Sequence, residues 1–178
     1  VVKASRGGSF TVTEGGYVSV NSNVLSFGGG QASVWTEAVG EYTVNIDGTL
    51  TTTAANFYNT KKSTLNVTGT LEFTGDKAPV YDYFKNEGVI NSVGGALNFG
   101  SRALTNAGTI TLDAASTLTA NAINNVDGEG KIVIDLNGYT GSIKHIINVE
   151  KNGGLDLAEV SLLNNTDDKY TVYQGWDG

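Results

Sequence analysis

The chain holds a single histidine, His145, in Ser142-Ile143-Lys144-His145-Ile146-Ile147. Triad or acid–base chemistry needs a histidine beside a nucleophile or carboxylate placed by the fold, and no spacing here supplies that partner. His145 therefore reads as an outward strand residue between core positions Ile143 and Ile146 or Ile147. With one histidine and no cysteine, a thiol nucleophile, a disulfide and a His-rich zinc site drop out. Asp127-Gly128-Glu129-Gly130 and Asp167-Asp168 offer oxygens to calcium. Neither follows an EF-hand loop or the Gly-Gly-x-Gly-x-Asp repeat, so both read as acidic turns. The Gly-x-Gly fragments are what 24 glycines produce by chance and are not a phosphate loop. No metal or cofactor is expected.

Other polar patterns are equally bland. Thr-x-Thr occurs at Thr11–Thr13, Thr51–Thr53, Thr109–Thr111 and Thr117–Thr119. An ice-binding face needs such pairs in register on every coil, and they miss the coils at Gly69, Gly88 and Gly130. Asn66-Val67-Thr68 and Asn164-Asn165-Thr166 match the glycosylation triplet, which is frequent by chance in so Asn- and Thr-rich a chain. A formal charge of −7, with scattered Lys and Arg and only Lys61-Lys62 together, argues against nucleic acid, which needs a cationic stripe. No apolar run approaches the ~18 residues that would span a membrane.

The more informative stretch is an irregularity. Thr74-Gly75-Asp76-Lys77-Ala78-Pro79-Val80-Tyr81-Asp82-Tyr83 interrupts a repeat and holds the only proline. Insertions in a solenoid fall in loops on one face, often the binding face. Tyr81 and Tyr83 would stack on a sugar ring there, with Asp76 and Asp82 accepting hydroxyl hydrogens. The competing reading has the tyrosines packed on the rod over a widened turn.

The repeat itself is apolar-x-Asn, a short Gly-bearing turn, then alternating apolar positions. Leu104-Thr105-Asn106-Ala107-Gly108-Thr109-Ile110 states it most fully, and Phe84-Lys85-Asn86-Glu87-Gly88-Val89-Ile90 comes before. Gly48, Gly69, Gly88, Gly108, Gly130 and Gly154 follow one another at 21, 19, 20, 22 and 24 residues. A period of about 20 residues is that of a solenoid whose units bury their apolar faces only against each other. Charged residues make up only 16% of the chain, and Gly, Thr and Asn take their place, which points to strands and tight turns. The fold class is all-β, a single-stranded parallel β-helix of two or three short strands per coil. Roughly eight coils at about 4.8 Å each would make a rod on the order of 35–40 Å long. Asn59, Asn86, Asn106 and Asn125 occupy matching places and are expected to hydrogen-bond up and down the rod as a ladder.

Residues 1–47 are less regular and read as N-terminal coils or a cap; residues 48–178 carry the repeats. Strands are expected at Ser9–Thr13, Tyr17–Val20, Ala32–Trp35 and Tyr42–Ile46 in the first part. The start, Val1-Val2-Lys3, resembles neither an initiator nor a signal peptide, so the chain is expected to be a processed piece of something larger.

The phrase apolar-x-Asn-x-Gly-x-Ile resembles the passenger repeats of bacterial autotransporter and filamentous-haemagglutinin-type adhesins, over about residues 44–160. That resemblance implies a right-handed parallel β-helix, exposed on a bacterial surface or shed from it, with adhesion or a stalk as its role. A host or matrix glycan or protein would be its partner, with self-association as a further option. The rival class is a β-helical polysaccharide lyase or hydrolase, for which Asp135, Lys144 and His145 are the only loose candidates. The expectation is a non-enzymatic adhesin or spacer.

Overall fold

The computed structural model describes residues 7–28, 40–75, 83–142 and 145–175. Short alternating phrases become short strands because every second side chain is apolar and can face a common interior. The first coil is β1 (Gly8–Val12), β2 (Tyr17–Val20) and β3 (Val24–Phe27). The second is β4 (Tyr42–Ile46), β5 (Thr49–Thr52) and β6 (Asn56–Asn59). The third is β7 (Ser63–Val67), β8 (Thr70–Phe73) and β9 (Phe84–Asn86). The fourth is β10 (Val89–Ser92), β11 (Ala96–Asn98) and β12 (Ala103–Asn106). The fifth is β13 (Thr109–Asp113), β14 (Thr117–Ala120) and β15 (Ala122–Asn125). Beyond it lie β16 (Lys131–Asp135), β17 (Ile147–Val149) and β18 (Val160–Leu163).

Successive coils pair in parallel, giving three sheets: sheet A (β1-β4-β7-β10-β13-β16-β18), sheet B (β2-β5-β8-β11-β14-β17) and sheet C (β3-β6-β9-β12-β15). The fold is the parallel β-helix that the repeat predicts, with three strands per full coil. The boundary expected at residue 47 falls in the turn between β4 and β5, and β1, β2 and β3 already occupy one position in each sheet. The strand expected at Ala32–Trp35 lies outside the described residues.

Among the described residues sheet A has seven strands, fewer than the eight coils expected, so the rod advances about 29 Å from the first of them to the last. The reason is coil length. Phe10, Val44, Leu65, Ile90, Ile110, Ile132 and Val160 align, at steps of 34, 21, 25, 20, 22 and 28 residues. The longer steps lengthen individual coils between paired strands and so lower the number of coils.

The interior is a stack of matched apolar columns. Val44, Leu65, Ile90, Ile110 and Ile132 from sheet A face Leu50, Leu71, Leu97 and Leu118 from sheet B, all buried. Phe57 lies at the centre of an aromatic cluster, its ring centroid 5.2 Å from Phe73, 5.4 Å from Phe84, 5.9 Å from Phe99 and 6.1 Å from Phe27. Arg102 is buried against this cluster. Its Nη1 donates to Ala55 O at 2.6 Å and its Nη2 to Gly75 O at 2.8 Å, with the guanidinium 5.7 Å from the Phe84 ring centroid. Carbonyls and a ring face thus offset the cost of burying the cation, and they hold the end of β8 to the second coil.

The expected asparagine ladder is present and runs inside sheet C. Asn59 Nδ2 donates to Asn86 Oδ1 at 2.8 Å, Asn86 to Asn106 at 2.8 Å, and Asn106 to Asn125 at 2.7 Å. Asn125 passes the chain to Glu159 Oε2 at 2.9 Å, which closes the ladder where sheet C has no sixth strand. At the other end Phe27 takes the matching place in β3, and Asn59 Oδ1 is left buried with no partner among the described residues.

Asp113 ties two coils at the corner between sheets A and B. Its Oδ1 accepts from Gly94 N at 2.9 Å, Ala115 N at 3.1 Å and Ser116 Oγ at 2.6 Å. Burial alone would raise its carboxyl pKa, but these donors outweigh it and hold the group below the usual carboxylate range. A depressed folded-state pKa contributes stability above the unfolded value of about 3.9, lost as pH falls through the folded value. As pH falls below about 4, the loss of melting temperature is therefore expected to be shallower in Asp113→Asn than in the parent. Identical acid profiles would contradict this.

Candidate functional site

Alternation puts Lys85 on the outer face of sheet C while Phe84 and Asn86 point inward, and the less buried Tyr83 and Glu87 stand just beyond the two ends of β9. Register places Tyr58 on one side of Lys85 and Thr105 on the other, with Asn124 beyond. Of the residues expected in the insertion, Tyr83 is 41% exposed and stands on this face. Its backbone is pinned from both directions: Tyr83 N donates to Asn56 Oδ1 at 3.1 Å, and Phe57 N donates to Tyr83 O at 2.7 Å. Asp76, Tyr81 and Asp82 lie outside the described residues.

Beside Tyr83 the side chains form one polar knot. Lys85 Nζ donates to Glu87 Oε1 at 2.5 Å, and Tyr58 Oη donates to Glu87 Oε2. Burial pushes the Glu87 carboxyl up; hydrogen bonds from Lys85 and Tyr58, and the charges of Lys85 and Lys61, outweigh it and hold the group ionised. The result is a fixed carboxylate and ammonium side by side, four and two residues along the chain from the exposed Tyr83. The sequence reading puts candidate binding residues on the insertion and does not single out Tyr58, Lys85 or Glu87. The signal was the outward alternation of Tyr83-Phe84-Lys85-Asn86-Glu87.

The outer face of sheet A carries a different pattern. Asn45, Asn66 and Asn91 align, with Asn66 Nδ2 donating to Asn45 Oδ1 at 2.9 Å and Asn91 Nδ2 to Asn66 Oδ1 at 3.1 Å. Thr43, Thr64, Val89 and Thr109 form the neighbouring column. This second ladder was legible in Val44-Asn45-Ile46, Leu65-Asn66-Val67 and Ile90-Asn91-Ser92, where Asn sits between two inward residues. The Thr-x-Thr pairs do not make an array of their own: Thr109–Thr111 lies on sheet A and Thr117–Thr119 on sheet B, while Thr13 and Thr53 fall past the ends of their strands.

The remaining candidates are scattered. Asp135 Oδ1 accepts from Asn137 N at 3.0 Å and Asn164 Nδ2 at 2.7 Å, so it fixes a turn. Lys144 and Ile143 lie outside the described residues. His145 is exposed and belongs to no strand, since β17 begins only at Ile147. It stands at the rim of a cavity of about 890 Å³ at the end of the rod, walled by Leu136, Ile147, Val149, Val160 and Leu162. That wall is the solenoid's apolar interior, opened where sheet C stops. Among the described residues no three His, Cys, Asp or Glu gather closely enough to hold a metal ion, and no helix is long and apolar enough to cross a membrane.

Comparison with protein-family models, with curated proteins and with solved structures returns no match for this chain.

Proposed function

We propose that the chain is part of a bacterial cell-surface or secreted β-solenoid that acts as an adhesin, the rod serving as stalk for a binding face on its own strands. One observation carries this reading. The outward positions form in-register columns of polar side chains on a rigid ladder, and the sheet C column passes through Lys85, which is paired with the ionised Glu87 and lies two residues along the chain from the exposed Tyr83. The style of the repeat, apolar-x-Asn-x-Gly-x-Ile, supports the same reading by its resemblance to bacterial passenger repeats. Host or matrix glycans and proteins are the partners such a surface suits.

Hydrolysis or elimination on a polysaccharide needs an acid and a base across one cleft, about 5–10 Å apart in the hydrolase case. Asp135 is instead committed to its turn, and His145 stands at the open end of the core. Beads coated with the purified chain are expected to adhere to surfaces carrying matrix glycans or proteins, and to leave soluble polysaccharides uncut. Release of oligosaccharides with no adhesion would overturn the reading in favour of an enzyme. No adhesion to any surface would reduce the chain to a spacer.

A further inference from the structure

We infer that the outer face of sheet C, at Tyr83, Lys85, Glu87 and Tyr58, is a binding site for an uncharged glycan, the pyranose ring lying on Tyr83 and its vicinal hydroxyls on the Glu87–Lys85 pair. The inference rests on the adhesin reading and gives it a site and a ligand class.

Geometry comes first. Tyr83 and Glu87 flank β9, one residue beyond either end, with Lys85 at its centre between them. The ring and the ion pair are thus separated by one or two steps of about 6.5–7 Å, the reach of a sugar ring and its substituents. The platform is preformed, since Tyr83 is held at both its N–H and its C=O and Glu87 is held by Lys85 and Tyr58. Preformed groups lose little freedom on binding.

Chemistry selects the ligand. A carboxylate oxygen has two acceptor positions and an ammonium three donors, so after pairing with each other Glu87 and Lys85 keep capacity of both kinds. A sugar hydroxyl is donor and acceptor at once and satisfies both. An aromatic face suits the apolar C–H side of a pyranose and leaves its rim to polar groups. Thr105 and Asn124 continue the same outward column and provide hydroxyl and amide groups for a second sugar unit. A sulfated or uronate-bearing glycan would bring a second anion against the ionised Glu87, with Lys85 already paired. Lys61, the other cation whose charge acts on Glu87, is exposed and screened by solvent, so hydrogen-bond matching and not net charge favours the neutral ligand.

The test is a printed array of neutral, sulfated and uronate-bearing oligosaccharides, probed with the intact chain and with Tyr83→Ala, Glu87→Gln and Lys85→Gln. Each variant's melting profile reports whether it is folded. Glu87→Gln is close to isosteric and is the variant expected to keep the fold intact. The expected result is binding to neutral glycans that falls at least about tenfold in Tyr83→Ala and in Glu87→Gln. Binding undiminished in folded variants would overturn this site while leaving the adhesin reading in place. Binding to charged glycans alone would overturn the ligand class. An intact chain that binds no glycan, yet adheres to matrix proteins, would sink the proposal but not the adhesin; failure of both would sink both.

Discussion

Replacing Asn106 by leucine is expected to lower stability by about 3–5 kcal/mol, because it strands buried polar groups on both neighbouring coils. Asn106 is fully buried. Its amide accepts from Asn86 Nδ2 at 2.8 Å and donates to Asn125 Oδ1 at 2.7 Å and to Lys131 O at 3.2 Å. Leucine fills the volume, so the loss reports hydrogen bonding and not a cavity. Each group left without water or partner costs about 1–3 kcal/mol, which sets the size of the effect. Asn66→Ala is the contrast. Asn66 has the same two ladder bonds on the half-exposed face of sheet A, where water replaces them, and a loss below about 1 kcal/mol is expected. Urea unfolding at unchanged slope measures both. Equal losses would mean that the inner ladder is no more than the outer one, a decoration on the rod.

Gly108→Ala is expected to cost at least about 3 kcal/mol, for a reason unrelated to backbone freedom. A Cβ on Gly108 would lie 2.0 Å from Gly88 O and 2.7 Å from Glu87 C, inside the backbone of the coil below. The coils cannot part there without losing Thr109 N to Gly88 O at 3.0 Å and Ala107 N to Asn86 O at 2.7 Å. Gly69 meets Gly48 O at the same 2.0 Å, so the constraint recurs at another corner. Gly128 provides the control. Its φ is +74° but nothing lies near its Cβ position, so Gly128→Ala carries only the left-handed strain of about 1–2 kcal/mol. Calorimetric melting of the two variants separates close approach from conformation. A Gly108→Ala variant melting as high as Gly128→Ala would contradict the stacking seen here.

These same glycines show where the sequence could be read and where it misled. Their spacing of about 20 residues is that of a stacked repeat. They do not mark one corner, however. Gly48 and Gly69 turn the chain from sheet A to sheet B, whereas Gly88, Gly108 and Gly130 turn it from sheet C to sheet A. The insertion after Phe73 lengthens the third coil enough for the step from Gly69 to Gly88 to pass as one period, and the coil count came out too high. The asparagine ladder was legible because an Asn two residues past an apolar position must point inward when the intervening residue points out. Arg102 was not legible. A lone arginine in Ser101-Arg102-Ala103 looks like a solvated turn, and only the folded coil brings Ala55 O, Gly75 O and the Phe84 ring around it. The proposed binding face was half legible, for the insertion points to Tyr83, while Tyr58 joins it only through the pairing of β6 with β9.

The most direct test of this account is residue-resolved NMR of the chain titrated with the neutral oligosaccharide that binds it best on the array. Shifts are expected only around sheet C's outer face, at the amides of Tyr58, Tyr83, Lys85, Glu87 and Thr105, with Thr43, Thr64 and Thr109 on sheet A unmoved. Shifts centred on sheet A or on the open end around His145, or none at saturating ligand, would contradict it.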